Sequence, residues 1–406
     1  MSDHLSLLNG NHGATALSAV PQPLTNESLW HRVQGIAELC ATRAAERDAE
    51  SSFPQAEFQE MASAGLLGAP LRRELGGLGL GIEAAATRLL LQTLKRLGYG
   101  NLAVGRIYEG HVNALQLIQT FGRPDQARRF ASDALCHRRI FGVWNAEAGD
   151  GVKVERVGPR RFRLTGAKTF CSGAGFVKRP FVNGATDGGC QMCVVPMEVV
   201  QTRHQPDWWQ SSGMRATTSY KIDFTNVEVD ESCLIGQPED YHRQPWLTGG
   251  AIRFASVQLG GAEALVDLTR DFLVQQERVK DPYQVERMGR MVLLIQAGNL
   301  WLDAAADRVE AFHQTFGGDP NEPVESGKET RLVAFANMLR TAIEQICMEV
   351  IQLAERSIGA RGLLPPLPME RIIRDLTLYL RQPGFDAALA YVGKQAFQAL
   401  EKGVAA

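Results

Sequence analysis

Residues 164–175 read LTGAKTFCSGAG, and residues 213–236 read GMRATTSYKIDFTNVEVDESCLIG. Both stretches lie in a region, residues 140–240, where short Val-, Phe-, Ile- and Thr-rich runs alternate with Gly, Pro, Asp and Asn. Runs such as Phe162-Arg-Leu164 and Ile222-Asp-Phe224 have the spacing of half-buried strands. We therefore expect a β domain in the middle of the chain.

Residues on both sides of this β domain follow a helical period. Residues 26–139 predict an N-terminal helical domain, and residues 241–406 predict a C-terminal helical bundle. The clearest stripe has steps of three and four residues and consists of Phe335, Leu339, Ile343, Ile346, Val350 and Leu353. Because helices and strands do not alternate, a doubly wound sheet is excluded. Residues 1–25 are rich in Ser, Gly, Asn and Pro and predict a disordered tail.

The composition excludes several classes of partner. The chain has 43 basic and 45 acidic residues, mixed along its length, which does not favour binding to nucleic acid or an anionic membrane. No apolar run is long enough to cross a bilayer and no signal peptide begins the chain, so we expect a cytoplasmic protein. Seven cysteines fit reduced thiols, and the Cys190-Gln-Met-Cys193 spacing predicts a buried strand rather than a metal site.

Two further stretches join the central ones in a resemblance. Residues 53–81 read FPQAEFQEMASAGLLGAPLRRELGGLGLG, and residues 356–375 read RSIGARGLLPPLPMERIIRD. Together the four stretches resemble acyl-CoA dehydrogenases over nearly residues 40–400. The resemblance implies an α+β fold, with an N-terminal helical domain, a middle β-barrel or sandwich and a C-terminal four-helix bundle. It also implies an oxidoreductase that binds FAD.

The resemblance places the flavin against two segments of the β domain. In Lys168–Ser172, Phe170 takes the place of an aromatic residue that shields the ring, and Ser172 keeps a hydroxyl able to reach N5. A core aromatic and a turn serine are the structural alternatives. Residues 141–151 resemble the segment that binds the pyrimidine end of the ring, although Trp144 replaces a hydroxyl residue and Asn145 begins an altered acidic-proline pair. The expected contacts there are Phe141, Val143, Trp144, Asn145, Gly149 and Asp150.

Gly359 and Gly362 resemble a glycine-rich turn that in this family meets the cofactor of a neighbouring subunit. Glycines that simply end a helix look the same. If the cofactor is shared, a homodimer or homotetramer follows.

The usual proton-accepting glutamate is missing. Its position falls on Pro383, and the alternative position, used by a minority of the family, falls on Ile252, so neither side chain can transfer a proton. Asp386 is a candidate replacement base or a helix cap. His111 is a second catalytic candidate, or else a helix histidine that is exposed or hydrogen-bonded within the protein. Glu109 lies on another helix face and cannot partner it. Arg253 is a candidate for binding a substrate carbonyl, phosphate or pantetheine group, or for a helix-start ion pair.

Three functions remain open. The first is an FAD-dependent oxidoreductase acting on the CH-CH bond of an acyl thioester, carried by coenzyme A or an acyl carrier protein, with an electron-transfer partner. The second is a monooxygenase of the same fold, which uses reduced flavin and oxygen and needs no base for α-proton abstraction. The third is a catalytically degenerate homologue that binds an acyl thioester or assembles with another protein.

Overall fold

The computed structural model describes residues 25–316, 320–321 and 327–401, so the predicted tail lies almost wholly outside the described residues. The described part of the chain begins with helices. Thr25 caps the first of them in a capping box with Ser28, and Asn101 caps the fourth by accepting from Ala103 N at 2.9 Å. These helices are α1 (Asn26–Ala49), α2 (Gln55–Ser63), α3 (Thr87–Gly100), α4 (Leu102–Phe121) and α5 (Pro124–Leu135).

The middle of the chain forms two sheets. The strands are β1 (Ile140–Trp144), β2 (Lys153–Gly158), β3 (Arg161–Thr165), β4 (Ala167–Cys171), β5 (Val177–Thr186), β6 (Gly189–Val194), β7 (Arg203–Gln205), β8 (Tyr220–Asp223), β9 (Val227–Asp230) and β10 (Leu234–Ile235). A 7-stranded sheet has the order β10-β6-β5-β2-β3-β9 with β1 parallel to β5, and a 3-stranded sheet has the order β4-β8-β7.

The stretch quoted first connects the two sheets. Gly166 lies between β3 and β4 with φ +115°, and a Cβ there would be 2.4 Å from the carbonyl oxygen of Gly151. Only glycine tolerates both conditions. The chain therefore leaves the large sheet at this residue and enters the small one, which puts Phe170 and Ser172 at the end of β4.

The remaining helices form the bundle. They are α6 (Trp246–Gln275), α7 (Pro282–Thr315), α8 (Lys328–Gly362), α9 (Met369–Tyr379) and α10 (Phe385–Glu401). The predicted stripe on α8 is buried at every position from Phe335 to Leu353. Helix α6 crosses α3 at a glycine contact, where a Cβ on Gly260 would lie 1.9 Å from Lys95 O and a Cβ on Gly98 2.2 Å from Val257 O. The predicted fold class, helices around a middle β domain, is confirmed.

Cys193 is buried and Cys190 is half-buried, and both lie on β6 as free thiols. Within the described ranges, no group of three His, Cys, Asp or Glu side chains could hold a metal ion. None of the described helices is both long and apolar enough to span a membrane.

Candidate active site

His111 is fully buried on α4 and is bonded through both ring nitrogens. Its Nδ1 accepts the backbone N–H of Phe141 at 3.0 Å, and its Nε2 lies 2.8 Å from the carbonyl oxygen of Leu67. These bonds require the neutral tautomer with the proton on Nε2. Burial lowers the pKa of His111 to about 4, so it stays neutral near pH 7. The histidine joins α4 to β1, and neither nitrogen is left for a substrate.

Trp144 stands where the resemblance expects a flavin-binding hydroxyl, and it is a buried side chain, only 1% exposed. Its Nε1 donates to the carbonyl oxygen of Ser172 at 3.0 Å, and its ring packs against Phe224 with centroids 6.4 Å apart. Phe141 is also a core residue, with no exposed surface. Trp144 therefore braces the turn that carries Ser172.

A chain of hydroxyl groups runs inward from Ser172. Its Oγ lies 2.8 Å from Ser219 Oγ, which lies 2.7 Å from Thr217 Oγ1, and Thr217 donates to Met214 O at 2.7 Å. Thr218, whose φ is +43°, has a buried hydroxyl with no hydrogen-bond partner among the described residues. The turn between β7 and β8 thus presents neutral donors and acceptors in a strained conformation.

Three aromatic rings stand beside this hydroxyl chain, and we call them the aromatic wall: Phe170, Trp208 and Trp209. Phe170 has φ +52° and a 50% exposed side chain, an unusual conformation for a bulky residue. Its ring makes edge contacts with Trp208 at 4.8 Å and Trp209 at 5.9 Å. The indole N–H of Trp209 is buried without a partner in the described chain.

The aromatic wall and the hydroxyl chain fit a neutral heteroaromatic ring in chemistry. Asn183 adds a buried amide oxygen that has no partner among residues described, while its amide nitrogen donates to Asn145 Oδ1 at 2.8 Å. Asp150 does not add free charge, because it pairs with Lys221 at 2.6 Å, and that hydrogen bond lowers its pKa. The unpaired groups are therefore uncharged donors and acceptors, which are able to bond the polar edge of an isoalloxazine ring.

Asp375 supports the turn from behind. Its carboxylate is 3% exposed, accepts the N–H of Met214 at 2.5 Å and lies 3.6 Å from Arg371. Asp375 lies on α9, and Met214, whose N–H it accepts, is 161 positions away in sequence. Burial raises the pKa of Asp375 to about 6.

We expect Asp375→Asn to flatten the pH dependence of stability between about pH 4 and 6. The folded pKa lies above the ordinary 3.8, so the stabilising contribution of the bound proton is present below pH 4 and is lost as the pH rises through about 6. The loss is on the order of 3 kcal/mol. Asparagine keeps an oxygen for Met214 N–H but has no charge. Urea unfolding of both proteins across this range measures the difference, and parallel curves would contradict it.

A buried polar cluster on α4 faces the start of α6. Arg106 Nη1 donates to Glu109 Oε2 at 2.6 Å, Asn113 donates to the other carboxylate oxygen, and Asn113 Oδ1 accepts from Arg253 Nε. The hydroxyl of Tyr379 is buried near Glu109 and Arg106 without a hydrogen-bond partner in the described part of the chain. Burial lowers the pKa of Arg253 to about 10, which leaves it charged near pH 7.

The two positions at which the resemblance predicts a base carry no acid. Pro383 is exposed, and its carbonyl oxygen accepts from Arg340 Nη2 at 2.9 Å. Ile252 is 2% exposed beside Arg253. Asp386 lies in the first turn of α10 and is exposed, so its surroundings do not resemble the water-poor site that a relocated base requires.

Gly359 interrupts α8 with φ 58° and ψ −170°, and a Cβ there would meet no atom within 4 Å. At Gly362 a Cβ would meet only the side chain of Ile358, at 2.3 Å. Gly359 therefore kinks α8, while contact of these glycines with a neighbouring subunit's cofactor stays a prediction.

Several residues of the site are not recognisable from the sequence pattern alone. The run Thr217-Thr-Ser219 is visible in the sequence as a cluster of hydroxyls, and its position before a strand is a usable signal. Asn113, Tyr379 and Asp375 have no comparable signal, because their partners lie on other elements.

This chain is similar in sequence to two family models and to known proteins. Residues 29–135 match the model of the acyl-CoA dehydrogenase N-terminal domain, and residues 252–381 match that of the C-terminal domain, which together exceed half of the chain. A dibenzothiophene monooxygenase of Rhodococcus erythropolis is 26% identical over 393 residues, 89% of this chain and 91% of the relative.

Two solved structures have the same fold. FMN-bound TdsC from Paenibacillus sp. A11-2 gives a TM-score of 0.82 at 20% identity and covers 91% of this chain and 96% of its own. Butyryl-CoA dehydrogenase from Megasphaera elsdenii gives a TM-score of 0.78 at 18% identity and covers 92% of this chain and 99% of its own.

Proposed function

Because the chain belongs to the acyl-CoA dehydrogenase family, we propose that it is a flavin-dependent monooxygenase. The dehydrogenase reaction on an acyl thioester is the alternative. The two reactions differ in what they ask of the protein, since dehydrogenation needs a carboxylate to remove an α proton and monooxygenation does not.

The proposal rests on which of the buried polar groups beside Arg253 already have hydrogen-bond partners. Glu109 is the buried carboxylate beside Arg253, and both of its oxygens are occupied, by Arg106 and Asn113. What faces the interior is instead a set of donors, the Arg253 guanidinium and the unpartnered Tyr379 hydroxyl. A site with donors and a neutralised carboxylate favours stabilisation of developing negative charge on oxygen over proton abstraction.

The residues of the β domain would hold the flavin. The aromatic wall would cover the ring, and Ser172, backed by Ser219 and Thr217, would donate a hydrogen bond to its polar edge. When bound and reduced, the flavin supplies two electrons to O₂, so that one oxygen atom enters the substrate and the other leaves as water. Trp144 fixes Ser172 through its backbone carbonyl, which keeps the hydroxyl in place without a charged group.

The activities and ligands of the matched proteins also support oxygen transfer. The Rhodococcus relative is a dibenzothiophene monooxygenase, and TdsC is solved with FMN and with indole. FAD is expected from the family resemblance, whereas FMN occurs in this structural neighbour. Both share the ring that the aromatic wall and hydroxyl chain would contact, so the mass of the cofactor released from purified protein distinguishes them.

The test begins with the flavin-loaded protein under anaerobic conditions. We expect a panel of acyl-CoA thioesters to leave the absorbance of the oxidised flavin unchanged. We expect reduced flavin with ¹⁸O₂ to transfer one labelled oxygen atom to a heteroaromatic substrate such as indole or dibenzothiophene, measured by mass spectrometry.

Asp386→Asn separates the two reactions further. Because Asp386 is exposed, the variant should match the unchanged protein in oxygen transfer. Bleaching by a thioester that disappears in Asp386→Asn would overturn the proposal and restore the dehydrogenase with a displaced base.

A further inference from the structure

A cavity of ≈ 70 Å³ lies between α3, α4, α6 and the end of α7. Its walls come from several stretches of the chain, among them those around Arg72, Thr87, Gln116, Arg253 and His313. No aspartate or glutamate lines the described part of the wall.

Arg72 and Arg253 share this cavity, and neither forms an ion pair with a carboxylate among the described residues. Glu109 interacts with Arg253 at longer range, but its two oxygens bond Arg106 and Asn113. Arg253 Nε is held by the neutral amide of Asn113, and the Arg72 backbone N–H donates to Gln119. The adjacent Arg73 differs, since its guanidinium pairs with Glu83 at 2.8 Å. Two like charges in a space of low dielectric repel one another and cost desolvation energy, unless an anion joins them.

The groups between the two arginines are neutral hydrogen-bonding groups. Burial, Arg72 and Arg253 lower the pKa of His313 to about 4, so its imidazole is uncharged near pH 7. Thr87 Oγ1 is buried and has no partner in the described chain. The polar side of the cavity therefore offers two cations, one unused hydroxyl and one imidazole.

The opposite side of the cavity is aromatic. Trp246 contacts Phe316 edge to face with centroids 5.5 Å apart, and Phe312 stacks with Phe316 at 5.6 Å. Leu90, Leu91 and Ile252 complete the apolar wall. A ligand that fills such a cavity has an apolar body and a polar end.

We infer that this cavity binds the oxyanion group of a small substrate with an apolar or aromatic body, a carboxylate or a sulfonate. The inference rests on the proposed function, because it names the substrate class of that oxygenase. Planar guanidinium groups bond such oxygens in pairs. Arg253 also belongs to the α4 polar cluster, so a bound anion would be connected to Asn113 and Glu109.

Calorimetric titration of the full purified chain tests the inference, with benzoate and benzenesulfonate as anionic probes and benzamide as a neutral match. We expect at least one anion to bind about tenfold more tightly than benzamide. The tighter anion identifies the oxyanion class. Arg72→Met and Arg253→Met should each weaken that anion by about tenfold or more.

Arg73→Met is the matched control, since it removes a neighbouring guanidinium that already has a partner, and its affinity should equal that of the unchanged protein. Arg72 is half-buried, so Arg72→Met tests the site even if Arg253→Met fails to fold. Equal binding of anion and amide, or equal affinities of Arg72→Met and Arg73→Met, would overturn the inference.

The anion-binding inference and the proposed oxygenase function fail in distinguishable ways. Arginine-dependent anion binding without ¹⁸O transfer would support the anion site and contradict the oxygenase function. Transfer of ¹⁸O to neutral substrates together with absent anion binding would do the reverse.

Discussion

Replacing His111 by Ala is expected to lower the free energy of unfolding by about 3 to 5 kcal/mol. The change leaves the N–H of Phe141 and the carbonyl oxygen of Leu67 buried without their shared partner, and it opens a cavity between α4 and β1. Urea unfolding followed by circular dichroism measures the loss. His111→Gln, which keeps one donor, should recover part of it.

His111→Ala should lose less stability in acid than the unchanged protein does. The folded pKa of His111, about 4, lies below its ordinary 6.5, so its contribution is present above pH 6.5 and is lost as the pH falls through about 4. That contribution is about 3 kcal/mol. His31→Ala, at an exposed histidine on α1, is the control and should keep the original pH dependence.

A catalytic His111 would behave differently. It would lose turnover in the flavin-loaded enzyme far beyond the loss of folded protein, with stability nearly intact. That result would contradict the structural role that the two backbone bonds indicate.

Gly260→Val is expected to cost about 3 kcal/mol or more, or to prevent folding. A Cβ at Gly260 would lie 1.9 Å from Lys95 O and 2.8 Å from Tyr99 N, so backbone rather than a flexible side chain blocks it. Helix α6 would have to move away from α3, and α6 carries Arg253. Thermal unfolding and the yield of soluble protein measure the effect.

Gly35→Ala is the matched control for this change. Gly35 lies inside α1, and a Cβ there meets nothing within 4 Å. Alanine should stabilise that helix by about 1 kcal/mol. If Gly260→Val were as harmless as Gly35→Ala, the close crossing of α3 and α6 would be wrong.

The α4 polar cluster and the cavity lie on successive parts of one helix surface. Arg106, Glu109 and Asn113 occupy its first half, whereas Gln116 and Thr120 line the cavity further along. Their steps of three and four residues keep them on one side of α4. Arg253 belongs to both groups, so it is the residue through which substrate binding and oxygen chemistry would be coupled.

The sequence by itself determined the fold and the lack of a titratable side chain at the two positions where the resemblance predicts a base. Residues 164–175 and 213–236 are local patterns of strands and turns, and each forms its structure mainly with near neighbours. Pro383 and Ile252 could be read directly, because a side chain without a titratable group excludes proton transfer in any surroundings. The expectation that Glu109 does not partner His111 agrees with the structure, since Glu109 bonds Arg106 and Asn113 instead.

Only the tertiary structure decided what the remaining polar residues do. His111 became a structural bridge because Leu67 and Phe141 approach it from two other segments, and Asp375 became buried because Met214 packs over it. The cavity with Arg72 and Arg253 unites residues far apart in the chain. Charge, burial and pKa depend on distances across elements, and a linear pattern does not contain those distances.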